Sequence, residues 1–323
     1  MRQRRFGRVG WSVGEIGYGM WGMGGWTGSD DAESMGSLER AVELGCNFFD
    51  TAWAYGGGHS ERLLGDLVRA KRQERLYVAT KIPPKNQMWP ARPEYRLDEV
   101  FPPDHIRRFT EASLENLGLQ QIDLILFHVW DDHWGGDERW QRAIDDIRRE
   151  GLVQAVGLSL NRWEPENGIE TIRTGLIDAV QVIYNIFDQA PEDRLFPTCR
   201  ELDVAVIARV PFDEGTLTGT LTKNSRWPKG DWRNHYFRAA NLEASVDHAE
   251  ALRPLIPPKR TMAELALRFI LSNTDVSTVI PGMRKERHVE ANLAASDKGA
   301  LDAALIERLR AHRWDRDPAP WSD

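Results

Sequence analysis

The sequence predicts an α/β chain folded as a (β/α)8 TIM barrel, and three observations carry that expectation. Short apolar, β-rich runs alternate along the chain with longer segments of helical period. Eight such runs occur, the number of parallel strands that closes a barrel. The glycine-rich GYGMWGMGG follows the first run but leads into Trp26-Thr27-Gly28 rather than a helix. An open doubly wound sheet would place a G-x-G-x-x-G turn directly before a helix at that point, so the closed form is preferred.

The expected strands cover residues 16–20, 46–50, 76–81, 123–128, 153–159, 179–183, 204–209 and 276–280. Helices are expected between them, among others over 60–71, 104–116, 138–149 and 262–271. Ser60 opens SERLLGDLV as an N-cap, and Thr261 opens TMAEL with Glu264 three residues on, the pattern of a capping box. The stretch 214–259 separates the seventh strand from its helix and is far longer than a usual connection. It contains WPKGDWRNHYF and reads as a lid over the substrate. No Pro/Gly/Ser linker, low-complexity tract or shorter repeat interrupts the 323 residues, so one domain over 1–323 is expected.

Hydrophobic residues make up 41% and charged residues 28%, as in soluble globular chains, and the length allows a large core. The net charge of -7 argues against a nucleic-acid partner, because phosphate binding needs a basic surface. No apolar run reaches bilayer length, and the basic start MRQRRFGRVG lacks the apolar stretch of a signal peptide. Cys46 and Cys199 lie in apolar surroundings and read as buried reduced thiols, which suits a cytoplasmic setting.

Four side chains carry the chemistry. Asp50 and Tyr55 stand in NFFDTAWAYGGG, Lys81 in LYVATKI and His128 in LILFHVW. Each follows or ends a strand-like run, and barrel enzymes build their sites at the C-terminal ends of strands. A tyrosine is a poor acid, with an ordinary pKa of about 10. A nearby ammonium favours the phenolate, a buried ammonium needs a carboxylate, and an imidazole donates a hydrogen bond to a carbonyl oxygen gaining charge. The set reads as a site that protonates a carbonyl. None of these groups can supply hydride, so a redox cofactor is required.

Thirteen tryptophans exceed what core packing usually asks for, and several follow strand ends. Trp53, Trp89, Trp130 and Trp232, with Trp26 nearby, are candidates for a flat apolar substrate pocket. Arg233 and His235 in the long connection are candidates for receiving an anionic group. The run from His128 through Asp131 and Asp132 to His133 is also rich in metal ligands. A metal-dependent barrel hydrolase would want an early His-x-His, which is absent, so no metal is expected.

The ordered motifs resemble the aldo-keto reductases from about Phe6 to Asn292: FGRVGWSVGEIGYGMW, the DTA-x-x-YG motif, ATK, the strand-end His, VGLSLN, AVQVIYN and VIPGMRKERHVEAN. The resemblance implies an N-terminal hairpin, with Gly7, Gly10 and Gly14, plugging the barrel floor. It implies Tyr55 as general acid in reduction and base in oxidation, Lys81 lowering its pKa, Asp50 anchoring Lys81 and His128 polarising the carbonyl. The implied cofactor is NADP(H), lying across the barrel mouth near Trp21. Ser159 and Gln181 match the positions that bind the carboxamide. Relatives place Asn directly after that Ser; this chain reads Ser159-Leu160-Asn161, so Asn161 takes the role only after a bulge. The nicotinamide-stacking position falls nearest Arg209, with Tyr184 a poorer match. The pyrophosphate is expected on backbone from Pro211 to Leu217, where Gly215 permits close approach. The adenosine end is expected at Gly282, Arg284, His288 and Asn292, with Ala291 where relatives carry Glu. Arg284 matches the reader of the 2′-phosphate. The expected partner is a small-molecule carbonyl or alcohol; the motifs encode no oligomeric state. A regulatory barrel like the potassium-channel β subunits is the alternative within the same fold.

Overall fold

The computed structural model describes residues 1–25 and 28–316. Strands β1 (Gln3–Phe6) and β2 (Trp11–Gly14) form an antiparallel hairpin. Gly10 turns it in the left-handed region, and at Gly7 a Cβ would stand 2.5 Å from the Ala205 nitrogen. Eight parallel strands follow: β3 (Tyr18–Gly19), β4 (Phe48–Asp50), β5 (Tyr77–Ile82), β6 (Ile122–Phe127), β7 (Val153–Ser159), β8 (Ala179–Ile183), β9 (Ala205–Arg209) and β10 (Val276–Val279). They pair in sequence order, and bridges Ile16–Val279 and Gly19–Gly282 bring the sheet's two edges together. The result is a nearly closed barrel with helices between the strands.

Helices cover the outer face, so β5 and β6 are buried along their whole length, in keeping with their mostly apolar runs. Inside, the hairpin supplies the floor. Phe6, Trp11 and Val13 pack with Phe48, Tyr77, Leu124 and Ile207. Phe6 stacks on Phe48 at 5.4 Å between ring centres and Trp11 on Tyr77 at 4.9 Å.

Strands β7 and β8 and helices Glu138–Arg149 and Met262–Leu271 match the sequence expectation at both ends. Strand β3 is shorter than expected. Thr261 caps its helix by accepting from the Glu264 nitrogen at 3.1 Å. The Glu264 carboxylate turns instead to Lys298 and Arg268, at 2.6 and 3.3 Å, so the capping box is half formed. Ser60 is not a cap. Its helix begins at His59 behind Gly58, and the buried Ser60 hydroxyl accepts from Thr51 at 2.8 Å and donates to the Met20 carbonyl at 3.3 Å. A serine one residue inside a helix ties two strand ends together here. The long connection after β9 has structure of its own. Helices Arg233–Tyr236 and Ala239–Leu252 gather Tyr236, Phe237, Leu242 and Val246 into a small apolar cluster, on which Trp227 and Trp232 pack.

Cys46 and Cys199 are free and buried, and burial pushes both thiols up to about 12. Among the described residues no helix is long and apolar enough to cross a membrane.

Because Phe6 is fully buried in the floor, Phe6→Ala is expected to cost about 3 to 5 kcal/mol of stability. Denaturant unfolding followed by tryptophan fluorescence measures this; a loss under about 1 kcal/mol would mean that the plug is dispensable.

Candidate active site

Three strand ends and one turn build the centre. Asp50 ends β4, Lys81 lies near the end of β5, and His128 follows β6. Tyr55 sits in the turn after β4, where Gly56, Gly57 and Gly58 have φ of 67, 58 and 83°. Three successive left-handed residues reverse the chain tightly into the next helix, which few side chains tolerate. Gly24 packs so close beneath that a Cβ there would meet the Tyr55 carbonyl carbon at 2.9 Å. The Tyr55 backbone is thus held closely against that of Gly24.

The Lys81 ammonium donates to both Asp50 oxygens at 2.9 and 2.8 Å, to the Thr51 carbonyl at 2.7 Å and to the Tyr55 hydroxyl at 3.5 Å. Gln181 Nε2 adds a bond to Asp50 Oδ1 at 2.7 Å. Burial pulls the Lys81 pKa down, but Asp50 and Tyr55 outweigh it and the group is held above its ordinary value. It therefore stays charged. Burial pushes the Tyr55 phenol up, and the charges of Lys81 and Arg209 pull it only part of the way back. Lys81 thus limits a rise rather than producing the net fall expected from sequence. Burial, Lys81 and Arg209 all push His128 well below the ordinary imidazole value, so it is neutral. Its ring stands edge-on to Tyr55 at 5.8 Å and to Trp89 at 5.8 Å, and its buried Nδ1 has no hydrogen-bond partner among the described residues.

Two cavities meet at Tyr55 and His128. The smaller, of about 350 Å³, is walled by Trp89, Trp130, Ile183 and Trp232 and includes Ser159, Asn161 and His235. The larger, of about 650 Å³, runs as a groove past Trp21, Pro211 and Gly215 to Gly282, Arg284, Lys285 and His288. Gln181, Arg209, Glu214, Trp89 and Trp232 border both. The Trp232 ring reaches the Trp21 ring at 5.0 Å between centres, so the long connection crosses over the groove as a lid would. The groove fits an extended anionic cofactor. Nothing lies within 4 Å of where a Gly215 Cβ would be, and at Gly282 the nearest atom is 4.0 Å away. Backbone can therefore approach a ligand closely. At the far end the buried Arg284 Nη1 has no partner among the described residues, a donor that an anion would satisfy.

Several expected contacts fall elsewhere. Leu217 is fully buried and Asn292 is buried on helix Glu286–Asp297; neither borders the groove. Strand β7 pairs Ser159 with Gln181 in regular register and the Leu160 nitrogen donates to the Gln181 carbonyl at 2.9 Å, so no bulge carries Asn161 to the position directly after Ser159. The Asn161 amide instead donates to Glu164 at 3.0 Å and accepts from the Trp163 nitrogen at 3.3 Å. Tyr184 is core: it packs on Phe196 and Phe269 and donates to Glu192 at 2.5 Å. Arg209 occupies the cavity junction instead. Trp53 packs edge-on to Phe109 at 4.7 Å and borders neither cavity. Trp130 forms a wall but is mostly core, wedged against Trp134 and Trp140. Arg233 borders the groove with its guanidinium held by Asp231 at 2.9 and 2.7 Å, which occupies the charge expected to receive an anion. Trp26 lies outside the described residues. In the acidic run, Asp131 pairs with His133 at 2.5 Å, and Asp132 accepts from the Glu170 and Thr171 nitrogens at 2.9 Å. These ligand-like residues are thus spent on local turns and a helix start.

Sequence reasoning missed a buried quartet. Arg162 bonds Asp188 at 2.9 Å and Asp213 at 2.5 Å; Arg316 bonds the same two carboxylates at 2.8 and 2.9 Å. The quartet clamps a strained loop: Val210, Asp213 and Glu214 have φ of 54, 45 and 57°. A β-branched residue there is uncommon, and such strain persists only where surroundings enforce it. The partners lie far apart in sequence, so only DEG after a strand end hinted at the clamp. Glu214 faces both cavities, and burial pushes its carboxyl up from 4.5 to about 7.

A family model described as the Aldo/keto reductase family matches residues 15–313. The chain is 28% identical to the NADH-specific methylglyoxal reductase of Escherichia coli strain K12, covering 98% of this chain and 100% of that one. It is 26% identical to an aldo-keto reductase of Schizosaccharomyces pombe whose name carries NADP(+), over 93% and 88%. The holo form of an aldo-keto reductase from Bacillus halodurans superposes with a TM-score of 0.76 at 23% identity, covering both chains fully, and shares the fold.

The raised Glu214 pKa has a stability consequence of definite sign. The folded protein holds this proton more tightly than the unfolded chain, so its contribution is present below about 4.5 and lost as pH rises through about 7. Glu214→Gln removes the titration. Its stability relative to the parent is expected to improve by about 2 kcal/mol between those limits, after allowance for solvent screening. Denaturant unfolding at pH 5 and pH 8 measures the difference, and equal ΔΔG at both would rule out a buried titrating Glu214.

Proposed function

The chain belongs to the aldo/keto reductase family, and on that premise we propose an NADP(H)-dependent oxidoreductase that interconverts a carbonyl and an alcohol, with Tyr55 as general acid and base. The observation that carries this reading is the Tyr55 hydroxyl 3.5 Å from an ammonium that Asp50 holds charged, with neutral His128 alongside. The substrate, an aldehyde, ketone or sugar, enters the smaller cavity with its carbonyl oxygen toward Tyr55 and His128. A nicotinamide held by the groove would supply the hydride that the carbonyl carbon takes up. Tyr55 gives its proton to the oxygen, and Lys81 stabilises the phenolate left behind. Neutral His128 donates a hydrogen bond to the oxygen as charge develops. Asp50 and Gln181 keep Lys81 aimed. In oxidation Tyr55 takes the proton back.

Ser159 and Gln181 would hold the carboxamide, backbone from Pro211 to Gly215 the pyrophosphate, and Gly282 with Arg284 and His288 the adenosine phosphate. The names of the bacterial and yeast relatives point to different dinucleotides. NADP(H) is favoured here by the unpartnered Arg284 donor, since a planar guanidinium suits the phosphate that distinguishes the two cofactors. The chain works as one domain on small molecules, and its buried free thiols suit the cytoplasm.

Tyr55→Phe removes only the acidic hydroxyl. Turnover is expected to fall by roughly two orders of magnitude or more, while dinucleotide affinity holds. Near-normal turnover in single-turnover assays would sink the mechanism. Dinucleotide binding without turnover of any carbonyl by the parent would favour the regulatory barrel.

Arg284→Ala is expected to weaken NADPH by about 1.5 to 3 kcal/mol and leave NADH nearly unchanged. Fluorescence titration with both dinucleotides tests this; equal losses would remove Arg284 as the phosphate reader.

A further inference from the structure

The loop after β9 faces the groove along most of its length. Val210, Pro211, Phe212, Glu214 and Gly215 border it. Asp213, in their midst, does not, and its fully buried carboxylate is gripped by Arg162 and Arg316. The same two arginines hold Asp188 on the loop after β8. Asn185 joins that carboxylate to the Val210 carbonyl, donating to them at 2.9 and 3.1 Å. The loop thus offers backbone to the groove while it is held from behind. Val210, Asp213 and Glu214 have positive φ without being glycine, a shape that persists only while its surroundings enforce it.

Arg316 contributes to that enforcement from outside the site, since it borders neither cavity. Its Nη2 donates to Asp188 at 2.8 Å and to Asp213 at 2.9 Å, and its Nη1 donates to Asp213 at 3.3 Å. The segment that carries it is anchored in turn. Trp314 stacks on His248 of helix Ala239–Leu252 at 3.9 Å between ring centres, and its backbone nitrogen donates to the Phe187 carbonyl at 2.9 Å. The Arg316 guanidinium lies 4.5 Å from the centre of the Trp314 ring. A residue past the last helix thereby reaches the loops after β8 and β9 at once.

We propose that Arg316 is a positioning residue for the dinucleotide, holding the backbone of 210–215 in the shape that the cofactor's pyrophosphate meets. This deepens the cofactor reading above and rests on it. Arg316 acts through Asp213 and not on the cofactor directly. With the grip loosened, the strained loop relaxes for part of the time. Dinucleotide affinity then falls in proportion to the fraction of chains that keep the binding shape. The coupling is reciprocal, so a bound dinucleotide tightens the C-terminal segment in its turn.

The test compares the parent with Arg316→Gln and Arg316→Lys, using whichever of NADPH and NADH the parent binds more tightly. Fluorescence titration is expected to give a Kd at least about fivefold higher for Arg316→Gln, the lower end of ordinary coupling between sites. Arg316→Lys is expected to recover part of the loss, because it keeps the charge without the planar fork. A second measurement needs only the parent. Hydrogen exchange at the Trp314 amide is expected to slow at least about fivefold more on saturation with dinucleotide than exchange in the floor hairpin, residues 3–14, which reports on the fold as a whole. A contact that only stabilises the fold would slow both alike. Should Arg316→Gln fail to fold, the exchange experiment decides alone. A Kd raised by less than about fivefold in a folded Arg316→Gln, or equal slowing at Trp314 and the hairpin, overturns the role of Arg316 and leaves the cofactor reading standing. A parent that binds neither dinucleotide sinks the cofactor reading and this proposal with it.

Discussion

The buried pair of Lys81 and Asp50 is the constraint on which the rest of the site depends. With side chains almost fully hidden from solvent, neither charge survives without the other. Their union also fixes geometry, because it ties the ends of β4 and β5, and Gln181 draws β8 into the same network. Three staves of the barrel are thereby locked at one height. The Tyr55 hydroxyl meets an ammonium that has nowhere else to go.

Burial acts on each member of this group in a different direction, and the balance differs from a simple picture of an activated tyrosine. The phenol is held protonated by its surroundings, the ammonium is held charged by its carboxylate, and the imidazole is held neutral. In a site so arranged the charges of Lys81 and Arg209 offset part of the cost that burial places on the phenolate. Lys81 therefore limits the rise without reversing it, and the resting phenol stays a weak acid.

What could be read from the sequence follows physical locality. The eight strands were legible because a strand buried on both faces is mostly apolar, as β5, β6 and β8 are apart from Thr80, Lys81, Asp123 and Gln181. Asp50, Tyr55, Lys81 and His128 were legible because strand ends deliver side chains to the barrel mouth whatever the loops do. Ser60 misled because a serine before an apolar run has the same local signature whether it caps a helix or bridges two strands. Asn161 and Tyr184 misled because a shift of one or two residues at a strand end decides between cavity and core. The clamp of Arg162, Asp188, Asp213 and Arg316 was invisible, since its members meet only once the chain has closed on itself.

That clamp also sets an order of events during synthesis. Asp213 and Arg316 are 103 residues apart, and Arg316 lies beyond the last helix, Ala303–Arg310. The strands that present Asp50, Tyr55, Lys81 and His128 emerge from the ribosome long before it. Throughout that interval Asp213 has Arg162 alone as counter-charge, on a loop whose backbone is strained at Val210 and Glu214. The full clamp on this loop can therefore form only once the chain has been made through Arg316. A chain stopped short of Arg316 would leave Asp213 and Asp188 with Arg162 alone on that strained loop.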